Sequence, residues 1–239
     1  MAAAASSRGA GSDGSPVLTT KEEVLEAVRR AAGEPNVVTV GLFGSVDFYN
    51  GDSEALCVAV GQGLARTLPS NVVILTGANA IVHEMISRAF HDTILAMAAE
   101  SPSSSSRSTT STTTRRVFHL APVGYDCCWA FGTVLSAGHD MAARRVLLAG
   151  SSDVGISVEG GPGTADEMGL CIAAGAVLLP FSRTGGASAG MFGAPAVGRP
   201  GEVAEADWAL VADASASVDA SAAAMVNAVR AVIEAKQQL

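Results

Sequence analysis

Aromatic residues are scarce, at 5% of a 239-residue chain. A core with so few rings must be filled by Ala and Val, which suits small side chains packed between helices and a sheet better than an aromatic-rich β-sandwich. Charge is thin as well, at 16% against 49% hydrophobic residues, the reverse of a disordered composition. Cations are the scarcer sign: 15 Lys and Arg against 23 Asp and Glu leave a net charge of −8. Nucleic acid and anionic membrane draw their affinity from a broad positive field, so neither is expected as a partner. Any phosphate must be held locally, by backbone amides and one or two Arg. The four cysteines, at 57, 127, 128 and 171, fit neither a zinc spacing nor a small secreted disulfide framework. No metal is expected, and a reducing compartment, the cytoplasm, is the simpler setting. The most apolar run, Leu170 to Phe181, is interrupted by Gly175 and is too short to span a bilayer. Met1 to Pro16 has no apolar h-region and does not read as a secretory signal; its Ala/Ser richness leaves a disordered tail or an organellar transit peptide.

Two segments lack the apolar side chains needed to offset their ordering entropy. Residues 1–16 are expected to be a disordered tail, and 101–114 (SPSSSSRSTTSTTT) a polar loop inserted into one domain spanning 17–239. Elsewhere short β-branched runs alternate with helical patterns. Helices are expected at Lys21 to Ala32 behind the Thr19/Thr20 cap region, from an Asp52 cap to about Leu68, and from about Ala80 to Ala99. Others run from about Thr133 to Ala149, from the 160–163 turn to Ala174, and from Val218 to Glu234. Strands are expected at 37–42, 71–76, 117–121, 154–158, 176–180 and 208–212, with a long Gly/Pro/Ala loop over 182–202. Strands without polar alternation, each followed by a helix, indicate an α/β fold: a Rossmann-like doubly wound, mainly parallel sheet with helices on both faces. Such sheets bind ligands at the carboxyl ends of their strands, where the topology switches.

Three turns on that edge stand out. After the first strand, Gly41-Leu42-Phe43-Gly44-Ser45 lets a ligand approach the backbone at Gly44 and offers the Ser45 hydroxyl. After the second comes Thr76-Gly77-Ala78-Asn79. A tight turn needs glycine for its backbone angles whether or not anything binds, so these two read equally well as plain turns. The third, Glu159-Gly160-Gly161-Pro162-Gly163-Thr164-Ala165-Asp166-Glu167, opens a helix, where unpaired N–H groups and the macrodipole favour an anion. A capping box would account for Thr164 and Glu167 but not for three glycines and a proline. No Lys follows, so this is not a Walker A loop, and the GxGxxG dinucleotide fingerprint is absent. Tyr125, in the turn Gly124-Tyr125-Asp126, is a candidate for stacking on a base. His83 is a candidate to face the pocket, against the plainer reading of a surface or supporting histidine. His91, His119 and His139 show no metal spacing, and Cys127-Cys128 reads as core or pocket wall.

The stretch from Met141 through Arg144-Arg145 and Asp153 to Gly160–Glu167 resembles the signature of the Lonely Guy (LOG) proteins, also called lysine decarboxylase-like. It matches without a gap: a basic pair on a helix, an Asp opening the next strand, then GGxGTxxE. The turns at Gly41–Ser45 and Thr76-Gly77 match the family's nucleotide-contacting turns more loosely, and the resemblance covers about residues 36–213. Val158–Thr164, with Arg183–Ala187 and Met191-Phe192, is also similar to the SLOG-type domains of melastatin-type cation channels, which bind nucleotides without hydrolysing them.

The resemblance implies cleavage of the N-glycosidic bond of a nucleoside 5′-monophosphate, giving base and ribose 5-phosphate, and not lysine decarboxylation. Arg144 and Glu167 would be catalytic. Gly44, Ser45, Gly77, Asn79, Gly160, Gly161, Gly163 and Thr164 would hold the nucleotide, with Tyr125, Arg145 and Asp166 as further candidates. A carboxylate beside an oxocarbenium-like sugar is the group such chemistry needs, and a guanidinium fork suits phosphate or ribose hydroxyls. No cofactor or metal is implied; the partners are a small-molecule nucleotide and a second copy of the chain. Three positions depart from the family pattern: Glu159 replaces a proline and adds a negative charge beside the turn, Asp166 is the shorter acid, and the second turn reads Gly77-Ala78-Asn79-Ala80. The rival reading is a SLOG-type module that senses an ADP-ribose-like nucleotide without turnover.

Overall fold

The computed structural model describes residues 16–100 and 115–238. The expected tail, up to residue 15, and the expected insert at 101–114 lie outside the described residues. In chain order the elements are α1 (Lys21–Ala32), β1 (Val38–Gly44), α2 (Ser53–Thr67), β2 (Val72–Thr76), α3 (Ile81–Glu100), β3 (Val117–Ala121) and β4 (Thr133–Ser136). They continue with α4 (Met141–Gly150), β5 (Val154–Val158), α5 (Pro162–Ala173), β6 (Val177–Phe181), α6 (Glu205–Ala212) and α7 (Val218–Gln237).

The six strands form one sheet in the order β4-β3-β2-β1-β5-β6, and every neighbouring pair is parallel. This is the Rossmann-like α/β arrangement that the sequence indicates. Successive strand residues point to opposite faces, so a continuous apolar run supplies two cores at once. Val40, Leu42, Val72 and Ile74 pack with Leu56, Val60 and Leu64 of α2, Ile86 and Phe90 of α3, and Met225, Val229 and Ile233 of α7. Phe43, Val73 and Leu75 pack on the other face with Val24 and Val28 of α1, Leu147 and Leu148 of α4, and Met168 and Cys171 of α5. At the amino end of the sheet, Asp153 accepts the Thr39 backbone N–H at 2.9 Å, tying β1 to β5 on the side opposite the proposed site.

Several boundaries differ from the sequence-based expectation. The helix expected from Thr133 is two elements. Thr133–Ser136 is the edge strand, in register with Phe118–Ala121. Gly138 then takes a left-handed backbone (φ 78°), and Asp140 caps α4 by accepting the Ala143 N–H at 2.8 Å. The strand expected at Trp208–Ala212 is helical, within α6: Val211 is buried and Trp208 packs against the core one turn away, so the apolar run serves a helix face and β6 stays the edge. The expected loop 182–202 carries two short 3₁₀ turns, Ser182–Thr184 and Gly186–Ala189. Beyond β4, Leu18 donates its N–H to Ser136 and accepts from Gly138, shielding part of an open sheet edge.

Candidate functional site

β1 leads through α2 to β2 on one side, and β5 leads through α5 to β6 on the other, so the crevice where the topology reverses lies between the carboxyl ends of β1 and β5. Three turns and the start of α4 converge there around a cavity of about 230 Å³.

Two buried histidines shape the turn after β2. The Gly77 N–H donates to His83 Nδ1 at 3.2 Å, and the Ala78 N–H donates to Thr76 Oγ1 at 3.3 Å. The Thr76 hydroxyl lies 2.7 Å from His119 Nδ1, and His119 Nε2 lies 2.9 Å from the Phe131 carbonyl oxygen. A carbonyl only accepts, so His119 carries its proton on Nε2 and accepts from Thr76. By the same logic His83 Nδ1 is bare, and the neutral ring's proton sits on Nε2, which is buried without a partner. Burial, reinforced by the Arg144 charge, pushes His83 down to about 3; burial pushes His119 down to about 4. Both rings are therefore neutral near pH 7. Between them Ala78 is held at φ 61°, a left-handed conformation costing of order 1–3 kcal/mol outside glycine.

Arg144, one turn into α4, is 1% exposed and lies over this bend. Its Nη1 donates to Glu167 Oε1 at 3.0 Å and its Nη2 to Asn79 Oδ1 at 3.3 Å, while its Nε has no partner. Gly77 makes room for it: a Cβ there would sit 1.9 Å from Arg144 Nη1. Burial raises the Glu167 carboxyl above the usual carboxylate value, and the Arg144 and Arg145 charges hold the rise back. Burial also lowers Arg144, which remains a cation because a guanidinium does not deprotonate in proteins.

The turn after β5 opens α5 with Gly161 as N-cap and Pro162 in the first turn, and no side chain caps it. The capping box does not form. The Thr164 hydroxyl instead donates to the Gly44 carbonyl at 3.2 Å, joining the first and third turns, and Glu167 is engaged by Arg144. Gly160 has φ 96°, and a Cβ there would meet the Thr164 side chain at 2.4 Å. Gly163 and Thr164, in the uncapped first turn, line the cavity together with the buried Arg144, an arrangement suited to an anion.

Of the residues singled out in the sequence, Gly44, Ser45, Asn79, Arg144, Arg145, Gly161, Gly163, Thr164 and Glu167 line this cavity, as does His83. Gly77 and Gly160 shape it from behind. Tyr125 and Asp166 do not line it, although the first acts electrostatically on Arg144 and the second on Glu167: Tyr125 lines a larger cavity of about 600 Å³ beside β4 and α1, and Asp166 lines a groove of about 580 Å³ that Arg145 shares. The larger cavity is not where the turns converge. Among the described residues no group of three or more His, Cys, Asp or Glu could hold a metal ion.

Glu159 does not burden the glycine turn with its charge. Its buried carboxylate accepts the N–H groups of Tyr49, at 3.0 Å, and Asn50, at 2.9 Å, in the loop after β1. Val46 and Tyr49 of that loop also line the cavity, and sequence reasoning passed over both. The available signal was the pair Phe48-Tyr49 ahead of the turn formers Asn50-Gly51-Asp52. Asp52 precedes α2 but forms no capping hydrogen bond; it pairs with Arg183 Nη2 at 2.8 Å.

Fold and cleft define a Rossmann-like α/β protein with a crevice at the topological switch. Residues 37–197, more than half of the chain, match the SLOG cluster4 family, and the chain belongs to that family, within the LOG-like group. The X-ray structure of TM1055 is similar at 18% identity over 64% of this chain and 78% of that one, with a TM-score of 0.50. Moco carrier protein from Chlamydomonas reinhardtii is 18% identical over 60% of this chain and 75% of that one (TM-score 0.44). The molybdenum cofactor binding protein from the phototrophic bacterium Rippkaea orientalis is 20% identical over 61% and 76% (TM-score 0.41). At these identities the likeness is one of fold, and only the TM1055 comparison carries it. No curated protein matches the chain.

Proposed function

We propose that the chain binds a nucleoside 5′-monophosphate in the cavity between β1 and β5 and hydrolyses its N-glycosidic bond. The observation that carries this reading is the buried Arg144–Glu167 pair beside the uncapped start of α5. The phosphate accepts from the Gly163 and Thr164 amides and draws on the positive charge of Arg144 and Arg145. The Glu167 carboxylate stabilises the cationic sugar as the bond from C1′ to the base nitrogen breaks. It then takes a proton from the water whose oxygen bonds to C1′ and returns it through solvent to the departing base nitrogen, which regenerates the carboxylate. Asn79 orients Arg144. Incubation with AMP and the other monophosphates, followed by chromatography for free base, tests the activity. Release by the wild type and none by Glu167→Ala is expected; no release from any monophosphate overturns it. Tight binding of AMP or ADP-ribose without turnover would identify a sensing module instead.

Four free thiols favour a reducing compartment such as the cytoplasm, and among the described residues no helix is long and apolar enough to cross a membrane. A homodimer is proposed through the face bearing exposed Val146, beside the groove it lines with Leu170 and Pro195. Light scattering on the purified protein reads the mass directly; a monomer at micromolar concentration removes this proposal.

A further inference from the structure

Tyr49 is 78% exposed, although its neighbour Phe48 turns inward and packs against the core. Packing therefore leaves the Tyr49 ring unexplained. The loop that carries it is nevertheless firmly tied. Glu159 accepts the backbone N–H groups of Tyr49 and Asn50; the Asn50 amide donates to the Arg183 carbonyl at 3.4 Å; and Asp52 pairs with Arg183. A buried carboxylate in a left-handed backbone (φ 52°) is a costly way to hold a loop with no duty.

The size of the cavity suggests the duty. At about 230 Å³ it falls below the roughly 300–1,000 Å³ of a site that encloses a whole small-molecule ligand. It has room for the phosphate and sugar, with the base projecting to the rim where Val46 and Tyr49 stand. We infer that Tyr49 is the platform on which the base stacks, and that Glu159 is the positioning residue that fixes the Tyr49 loop at the rim. Glu159 thus converts a turn of the phosphate type into one that also sets base recognition. The inference rests on the nucleotide reading of the cavity.

The test compares two probes, AMP and ribose 5-phosphate, which carries a hydroxyl where AMP carries the base. Dissociation constants are measured by calorimetry on the full chain, every variant and the otherwise wild-type reference carrying Glu167→Gln as well so that AMP is not turned over. Stacking on an aromatic side chain predicts that Tyr49→Ala weakens AMP about 5- to 100-fold. Ribose 5-phosphate should be unaffected, and Tyr49→Phe should bind AMP like the wild type. Glu159→Leu should lower the AMP to ribose 5-phosphate affinity ratio in the same direction, with Glu159→Gln intermediate because one acceptor oxygen remains. Tyr49 is a surface residue, so its variants fold even if the Glu159 variants do not. Unchanged AMP binding by Tyr49→Ala, or an equal loss for both probes, overturns the inference and leaves the nucleotide site standing. Failure of the wild type to bind either probe overturns both.

Discussion

Two buried arginines, each paired with an acid, do opposite jobs. Arg183, 8% exposed, spends its guanidinium on the fold: it donates to the Ala216 carbonyl at 2.8 Å, to Ser221 Oγ, to the Ala214 carbonyl at 3.4 Å and to Asp52. It thereby staples the start of α2 and the 3₁₀ turn after β6 to the segment leading into α7. Arg144, buried deeper, has Glu167 and Asn79 as partners, an unpartnered Nε, and a cavity against its face. Donors spent on carbonyls stabilise one structure, whereas a buried guanidinium that shares a cavity wall with a carboxylate is placed to act on what enters the cavity. Burial and an ion pair are common to both regions, so neither identifies a site. The adjoining cavity, lined by both members of the Arg144–Glu167 pair, does.

The sharpest way to break the comparison is to exchange the expected consequences. Glu167→Gln keeps the shape but removes the charge that the sugar cation needs. Base release from AMP per folded molecule should fall by about 10²–10⁴-fold, as seen by chromatography; the buried Arg144 also loses its counter-charge, so the melting temperature should fall as well. Because burial raises the Glu167 carboxyl, wild-type activity should also lose its base on the acid side at a pH above 4.5, the ordinary value for the group. Arg183→Leu should cost stability without the loss of rate. It takes the charged donor from the Ala216 carbonyl and from Ser221, which keeps its bond to the Leu210 carbonyl, while the half-exposed Asp52 regains water, so a loss of about 3 kcal/mol is expected from the hydrogen bonds given up. For a domain of this size that is a fall of roughly 10 °C in a thermal melt. Turnover per folded molecule should persist. If Arg183→Leu instead abolishes turnover with an unchanged melt, the division between the two arginines is wrong.

How far the sequence disclosed this division differs residue by residue. The doubly wound sheet was legible because apolar runs and Gly-rich turns are local signals. The turn at Gly160–Glu167 was legible because three glycines exceed what a cap requires. The Thr133–Ser136 strand was not, since a four-residue edge strand beside an Ala-rich helix has no length over which its period can assert itself; the punctuation at Gly138 and Asp140 was the signal to use. Tyr125 and Tyr49 were indistinguishable as exposed aromatics in edge turns. Only the sheet order, which sends Tyr125 toward the β4 edge and Tyr49 to the β1/β5 crevice, separates them. Glu159 looked harmful beside a phosphate turn because its partners, Tyr49 and Asn50, lie more than a hundred positions away.

A third difference concerns acid. His83 is held neutral beside Arg144, well below its ordinary value of 6.5. A histidine with a depressed folded pKa contributes stability that is fully present above pH 6.5 and is lost as the pH falls toward about 3, because the unfolded chain takes up the proton first. Between pH 7 and pH 5 this amounts to about 2 kcal/mol. Chemical denaturation at the two pH values should show that loss on top of the one from His119 in the wild type, and a loss smaller by about 2 kcal/mol in His83→Gln. The Arg183 tether contains no such group, so Arg183→Leu should keep the wild-type pH dependence. Equal pH dependence in wild type and His83→Gln would mean that the ring is solvated.

The smallest change expected to matter is a single methyl. Gly77 lies under the Arg144 guanidinium, and the Cβ of Gly77→Ala would come within 1.9 Å of Nη1. The backbone at Gly77 is not left-handed, so alanine is compatible with its conformation, and the atom it strikes is the end of a side chain. Relief therefore comes from moving the guanidinium, not the sheet. That movement stretches the bond to Glu167 while leaving both charges in the cavity, and misplacement without removal should cost about tenfold in base release, or 1.4 kcal/mol. The melting temperature should move by no more than a few degrees. Adding a methyl to Gly150 at the end of α4, where nothing lies within 4 Å, is the control and should change neither quantity. Full activity in Gly77→Ala would show that Arg144 acts as a diffuse charge and not as a placed donor, which would blur the contrast with the fixed geometry of Arg183.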